Sequence, residues 1–306
     1  MRIVSLLPSA TEIICALGLQ DQLVGSSHEC DYPAGVSDLP IVTRSTIVKN
    51  QTSRGIDDQV RAQLQTTTAL YTLDLELLES LRPDLIVTQA LCDVCAVSAD
   101  DVAAAIALLP GPPAMVSLEP ANLADVFTTI RLVADAADRK TQGDELAAAL
   151  HSRIARVTAA VAGLEPRRVA MLEWIDPLFN AGHWNPELIE LAGGLSVTGA
   201  SGKPSRTMSM DELRDAAPDV LLIACCGFGI PRTLQDLPAL TTTPGWHDLP
   251  CVRNDQVFVA DGNHYFNRPG PRLIDSLEII ADVLHPDRGL RSQGVPGAER
   301  VPMLSI

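Results

Sequence analysis

No apolar run in the 306-residue sequence reaches the ~18–20 residues of a membrane span. Basic residues are scarce, 23 against 38 acidic for a net charge of −15, and they form no cluster. That excludes the footprint a nucleic-acid binder needs. Catalytic signatures are absent too: no G-x-S-x-G elbow, no H-E-x-x-H, no P-loop and no G-x-G-x-x-G. The seven cysteines are odd in number and lack framework spacing, which argues against a disulfide scaffold and for a reducing compartment. The amino terminus enters a strand at Arg2–Leu7 without a basic leader or cleavage site, so a cytoplasmic chain is expected, or a periplasmic or cell-surface one if a leader is missing.

What is present is concentrated. Five cysteines, Cys30, Cys92, Cys95, Cys225 and Cys226, fall in short loops that each follow a predicted strand. The same loops hold His28, His183 and His264, and seven of eleven aromatics: Tyr32, Trp174, Phe179, Trp184, Phe228, Tyr265 and Phe266. In an open α/β sheet, loops at the carboxyl ends of the strands line the ligand crevice. Soft ligands and flat rings gathered there point to a binding cleft.

The chain also repeats itself. Leu81-Arg82-Pro83-Asp84-Leu85-Ile86-Val87 ends a helix, turns on Pro-Asp and runs as a buried strand into Cys92 and Cys95. Ala216-Ala217-Pro218-Asp219-Val220-Leu221-Leu222-Ile223 does the same into Cys225 and Cys226. Asp74 and Ser209 cap the helices before these turns, and Arg2–Leu7 mirrors Arg168–Leu172. The expected fold is therefore α/β: two Rossmann-like lobes with parallel sheets, bridged by a single long helix, with a ligand cleft between the lobes. The expected boundaries are an amino-terminal lobe over 1–120, a connector over 121–165, a carboxyl-terminal lobe over 166–286 and a frayed tail over 287–306. Ser9-Ala10-Thr11-Glu12 reads as a capping box, and Asp138–Gly143 as a polar break in the connector.

With these stretches, Arg2–Glu12, Cys30-Asp31-Tyr32-Pro33, Asp74-Leu75-Glu76 and Arg82–Ile86, the chain resembles the cobalamin-binding, class III type of ABC-transporter solute-binding protein. Within that family it looks most like a leaderless, cysteine-rich subgroup carrying Leu91–Val97, Gly182-His183-Trp184 and Asp261–Pro271. The resemblance implies a non-enzymatic receptor for cobalamin, another corrinoid or a related metal chelate, serving ABC-type uptake or acting as a cytoplasmic carrier. It implies that Glu76, with Asp211 or its neighbour Glu212, pairs with arginines of an ABC permease. Candidate ligand contacts are Pro8, Tyr32, Trp174, His183, Trp184, Phe228, His264, Tyr265, Phe266 and Arg268.

The bare residues leave other readings open. Cys30, Cys92, Cys95, Cys225 and Cys226 are candidate ligands for zinc or an iron–sulfur centre, which would make this a thiolate metal-site protein on the receptor fold. Cys92-x-x-Cys95 also admits a thiol oxidoreductase. Each residue has a plainer explanation as well: buried free thiols, loop-bonded histidines, lobe-core aromatics, Arg268 bracing its own turn, and acids placed to suit a helix dipole.

Overall fold

The computed structural model describes residues 1–48, 50–65, 70–89, 99–107 and 109–302. They divide into two compact units. The first comprises Met1–Gln51, Gly55–Pro120 and Ala124–Ala149, and the second Thr52–Arg54, Ala121–Leu123 and Leu150–Ile306.

In chain order the first half runs β1 (Ile3–Ser5), α1 (Pro8–Ala16), β2 (Leu23–Ser26), β3 (Thr43–Ser45), α2 (Ser53–Leu64), β4 (Tyr71–Leu73) and α3 (Leu75–Leu81). It continues with β5 (Leu85–Gln89), α4 (Ala99–Ala107), β6 (Ala114–Leu118), α5 (Leu123–Ala136) and α6 (Lys140–Val161). A parallel sheet takes the order β2-β1-β5-β6, while β3 and β4 make a separate antiparallel pair. Every residue of β1 and β5 is buried, as expected of parallel strands covered on both faces. Val4, Leu6, Ile86, Leu78, Val102 and Ile106 pack into one cluster between sheet and helices.

The second half runs β7 (Arg167–Trp174), β8 (Phe179–Asn180), α7 (Asn185–Leu191), β9 (Gly194–Ser196), α8 (Met210–Asp215) and β10 (Val220–Ile223). After it come α9 (Ile230–Thr241), α10 (Pro250–Arg253), β11 (Val257–Val259), α11 (Leu273–Leu284) and β12 (Glu299–Arg300). The sheet order is β12-β11-β10-β7-β8, with β9 also on β7. Strands β9, β7, β10 and β11 are parallel. Their order, β9-β7-β10-β11, reproduces β2-β1-β5-β6 of the first unit.

The repeated turn is built alike in both units. The Arg2 N–H donates to Asp84 Oδ2 at 2.6 Å, and the Arg168 N–H to Asp219 Oδ2 at 2.9 Å. In return the Asp84 and Asp219 N–H groups each donate, at 2.8 Å, to the carbonyl of the same arginine. The arginine side chains then cap helix-end carbonyls, Leu81 O in one unit and Ala216 O in the other. Asp74 and Ser209 are helix caps as expected, Ser209 with Glu212 in a complete capping box.

Three local expectations are corrected. Ser9–Glu12 is no capping box: α1 starts at Pro8 after Leu7, without a side-chain cap. Ser9 and Glu12 are buried, and the Thr11 hydroxyl is drawn to Ser5 Oγ at 2.8 Å and Cys30 Sγ at 3.1 Å. The connector breaks at Asp138, whose φ is +54°, and Gly143 lies inside α6. A Cβ on Gly143 would stand 2.6 Å from Ala134 Cβ, so glycine serves close packing of α6 on α5. The 22 residues of α6 span about 33 Å at 1.5 Å per residue, and the chain leaves the first unit within it. Finally, the tail is docked as far as Val301. The Ser292 N–H donates to Glu278 at 2.9 Å, β12 pairs with β11, and the Val301 N–H reaches Val257 O at 2.9 Å.

Among the described residues no helix is long and apolar enough to cross a membrane.

Candidate functional site

Because β7, β10 and β11 run parallel, their carboxyl ends deliver three loops to one edge of the second sheet. Strand β7 ends at Trp174, β10 leads into Cys225–Phe228, and β11 into a single π turn over Gly262–Phe266. The Trp174 and Phe228 rings lie 4.9 Å apart, and the Arg232 guanidinium covers Phe228 at 4.2 Å. Trp174 Nε1–H donates to the carbonyl of Ser53, in the short segment Thr52–Arg54 that belongs to this unit. Arg54 itself pairs with Asp176.

The π turn is over-determined. Asp261 Oδ1 accepts from the His264 N–H at 2.9 Å, while Oδ2 meets His264 Nδ1 at 2.6 Å. Asn263 N–H donates to Phe228 O, and the Asn267 amide spans Gly262 O and Ala224 O. A Cβ on Gly262 would sit 2.2 Å from Cys225 O, so only glycine fits. Burial pushes the Asp261 carboxyl up, but hydrogen bonds from the His264 ring and backbone outweigh it and hold it below the usual range. His264 keeps 37% of its side chain exposed. Tyr265 is half-buried beside Arg272, and burial raises its phenol.

His183 has a left-handed φ of +53° just before α7, its N–H bonded to Lys203 O at 2.6 Å. Its ring lies 5.4 Å from Trp184, and burial lowers its pKa. Trp184 and Phe266 depart from the expectation of ligand-facing rings. Both are buried, and Trp184 Nε1–H donates to Phe266 O at 2.9 Å. They pin the α7 loop to the π turn instead of offering a face. Phe228 is likewise buried, under Trp174 and Arg232. Arg268 is buried and donates to Asn263 Oδ1 at 3.1 Å, bracing the turn.

On the first unit, Pro8 opens α1 and is half-buried, and Tyr32 is 45% exposed after the β2 loop. Glu76 is exposed in the first turn of α3. Asp211 is exposed on α8, held loosely by Arg214 at 3.0 Å. Glu212 is committed to its capping box and to Arg206 at 2.9 Å, and the Ser209 backbone hydrogen bond lowers its pKa first.

The thiolate expectation fares differently by residue. Cys30 is buried in the first unit against Thr11, and Cys225 is buried in the second, its thiol pushed up to about 12 by desolvation. Cys226 is exposed, and Cys92 and Cys95 lie outside the described residues. Among the described residues no three His, Cys, Asp or Glu side chains converge as a metal site.

Sequence reasoning passed over Asp261 and Asn263 as site residues. The available signal was an acid three residues before a histidine across a glycine turn, spacing that lets one carboxylate reach both backbone and ring.

Comparison with known proteins places the fold. The family model described as periplasmic binding protein matches residues 3–263. The chain is 24% identical over 286 residues to the vitamin B12-binding protein of Vibrio cholerae serotype O1, covering 92% of this chain and 88% of that one. Among solved structures it is similar to a periplasmic heme-binding protein from Roseiflexus sp. RS-1, with TM-score 0.69, 24% identity and coverage of 93% and 98%. A periplasmic heme-binding protein from Pseudomonas aeruginosa aligns with TM-score 0.73 at 18% identity, over 98% of each chain. These matches do not single out a leaderless or cysteine-rich subgroup. They overturn the cytoplasmic expectation, since the matching family and these solved proteins are periplasmic. With two α/β units of like topology and a family match over most of its length, the chain belongs to the periplasmic binding protein family, whose members are non-catalytic solute receptors.

Proposed function

We propose that this protein is the solute receptor of an ABC uptake system for a flat metal chelate of the cobalamin or heme class, with a corrinoid as the first choice. The observation that carries the reading is that four rings in loops of the second unit, Trp174, His183, His264 and Tyr265, stay partly exposed. Broad ring faces with few polar anchors suit a macrocycle, and two imidazoles suit its metal. The names of the relatives, vitamin B12-binding and heme-binding, support the same class. Titration with cyanocobalamin, hydroxocobalamin and hemin, followed by calorimetry and visible spectra, tests it. Saturable binding of at least one is expected, and failure of all three sinks the reading.

Docking to a permease would use Glu76 on the first unit and Asp211 on the second. Glu212 is less suited, because its carboxylate is already spent on Ser209 and Arg206. Reversing charge in Glu76→Lys or Asp211→Lys should abolish receptor-stimulated transport in reconstituted vesicles while ligand affinity stays as it was. Equal loss of affinity would count against a docking role.

A further inference from the structure

We propose that His183 supplies a nitrogen ligand to the metal of the bound chelate, from a turn whose backbone is held while its ring is left unspent. This rests on the chelate-receptor reading and adds which side chain meets the metal and which chelates the protein prefers.

Buried polar groups ordinarily find hydrogen bonds. Among the described residues four histidines are half-buried: His28, His183, His264 and His285. Three of them engage a ring nitrogen. His28 Nδ1 meets Thr43 Oγ1 at 2.7 Å, His264 Nδ1 meets Asp261 Oδ2 at 2.6 Å, and His285 Nε2 meets the Ala192 carbonyl at 3.1 Å. The His183 ring makes no hydrogen bond or ion pair among the described residues, and its one ring contact there is Trp184, 5.4 Å between centroids. Burial alone lowers its pKa, which favours the neutral ring at neutral pH. A neutral imidazole keeps one nitrogen unprotonated in either tautomer, so a lone pair is present whichever nitrogen carries the proton.

The backbone beneath this ring is firmly mounted. Its φ of +53° is left-handed, a conformation that glycine takes freely and a residue with a Cβ takes under strain. The His183 N–H donates to Lys203 O at 2.6 Å, and the His183 carbonyl accepts from the Gly202 N–H at 2.9 Å. A Cβ on Gly182 would stand 2.3 Å from Ser205 N, and one on Gly199 would stand 2.1 Å from Ala181 O, so the two segments lie backbone against backbone. On the other side of the residue, the Trp184 indole N–H anchors the chain to Phe266 O at 2.9 Å. An imidazole carried on so stiff a support, with its nitrogens unspent, suits direct ligation.

Ligation then selects among chelates. The nitrogen lone pair forms the bond to cobalt(III) or iron(III), and water, or hydroxide together with a proton, leaves the metal; no electron changes hands. Hydroxocobalamin and ferric heme offer such an exchangeable axial position. Cyanocobalamin, with its axial positions filled by cyanide and its own base, gains no bond from His183.

The experiment compares the wild type with His183→Gly and His264→Ala against hydroxocobalamin, cyanocobalamin and hemin, reading affinity and visible spectrum. Glycine accepts the left-handed backbone at 183, so the substitution removes the ring and spares the turn. Expected is a spectral shift with hydroxocobalamin or hemin that His183→Gly loses and added imidazole restores, with weaker binding of the chelate that shifts. Cyanocobalamin affinity should be equal in wild type and His183→Gly, and His264→Ala should keep the shift. A shift that survives in His183→Gly, a shift that disappears in His264→Ala instead, wild-type binding without any shift, or an equal loss of affinity for all three chelates in His183→Gly each overturns the assignment and leaves the receptor reading standing. Absence of binding to all three chelates by the wild type brings down both.

Discussion

Two tryptophans of like sequence context part company once their environments are known. Trp184 is 5% exposed and holds Phe266 O through its indole N–H, whereas Trp174 is half-buried on Phe228. Trp184→Ala should therefore cost about 3–5 kcal/mol, the range for emptying a buried aromatic site, seen as a lower denaturant midpoint. Trp174→Ala should lose less stability and more chelate affinity. The opposite ranking would move Trp184 into the binding surface. The cysteines carry the same lesson. A thiol in a strand-end loop turns inward or outward without altering any periodic pattern, so Cys225 and Cys226 read alike in sequence. In the fold Cys225 is buried, with its thiol pushed up to about 12, and Cys226 is exposed. Alkylation of the native protein near neutral pH, mapped by peptide mass, should mark Cys226 early and spare Cys225 and Cys251, whose burial also pushes its thiol up to about 12. Early labelling of Cys225 would contradict its burial.

At the scale of elements, the sequence was most readable where several local signals agreed. The helix–Pro-Asp–strand repeat combines a polar cap, a left-handed helix end at Arg82 or Ala217 and a strand that opens on three or more apolar residues, and it folds into matching hydrogen-bond sets. Asp84→Ala and Asp219→Ala should then destabilise by similar amounts, about 0.5–1.5 kcal/mol for one such hydrogen bond. Urea unfolding of the pair checks this, and a large effect of one with none of the other would show the likeness to be superficial. Strands β3, β4, β8 and β9 escaped notice because two or three residues cannot display an alternation. The mistaken capping box at Ser9 failed for a tertiary reason, since its polar groups are buried and Thr11 serves Ser5 and Cys30. The candidate site was half legible: the strand-end loops were found, but the direction of each side chain, and hence the burial of Trp184, Phe266 and Arg268, was set by packing.

For the whole molecule the tail was misread because its anchors are distant in sequence. Glu278 on α11 is fully buried and binds Arg156 at 2.7 Å, Arg153 at 2.9 Å and the Ser292 N–H at 2.9 Å. Arg153 also reaches Asp275 at 2.6 Å. One carboxylate thus ties the long helix α6, helix α11 and the tail within the second unit. Burial pushes Glu278 up, but the Arg153 and Ser292 hydrogen bonds prevail and its pKa falls below the ordinary value. A carboxylate depressed in the folded state stabilises above its unfolded pKa and loses that contribution as pH falls through the folded value. Asp275 works in the opposite sense. Burial raises its folded pKa, so it costs stability while ionised, and that cost fades on acidification. Glu278→Gln should lose about 1–3 kcal/mol near neutral pH, because the partly exposed Arg156 loses its carboxylate while Arg153 keeps Asp275. It should also flatten the acid limb of stability below about pH 4–5, whereas Asp275→Asn should leave that limb steep. Urea midpoints measured across this range for the three proteins distinguish the cases. An unchanged acid limb in Glu278→Gln would mean that the tail is held by its β12 pairing and the helix by its apolar face, with the ion cluster incidental to both.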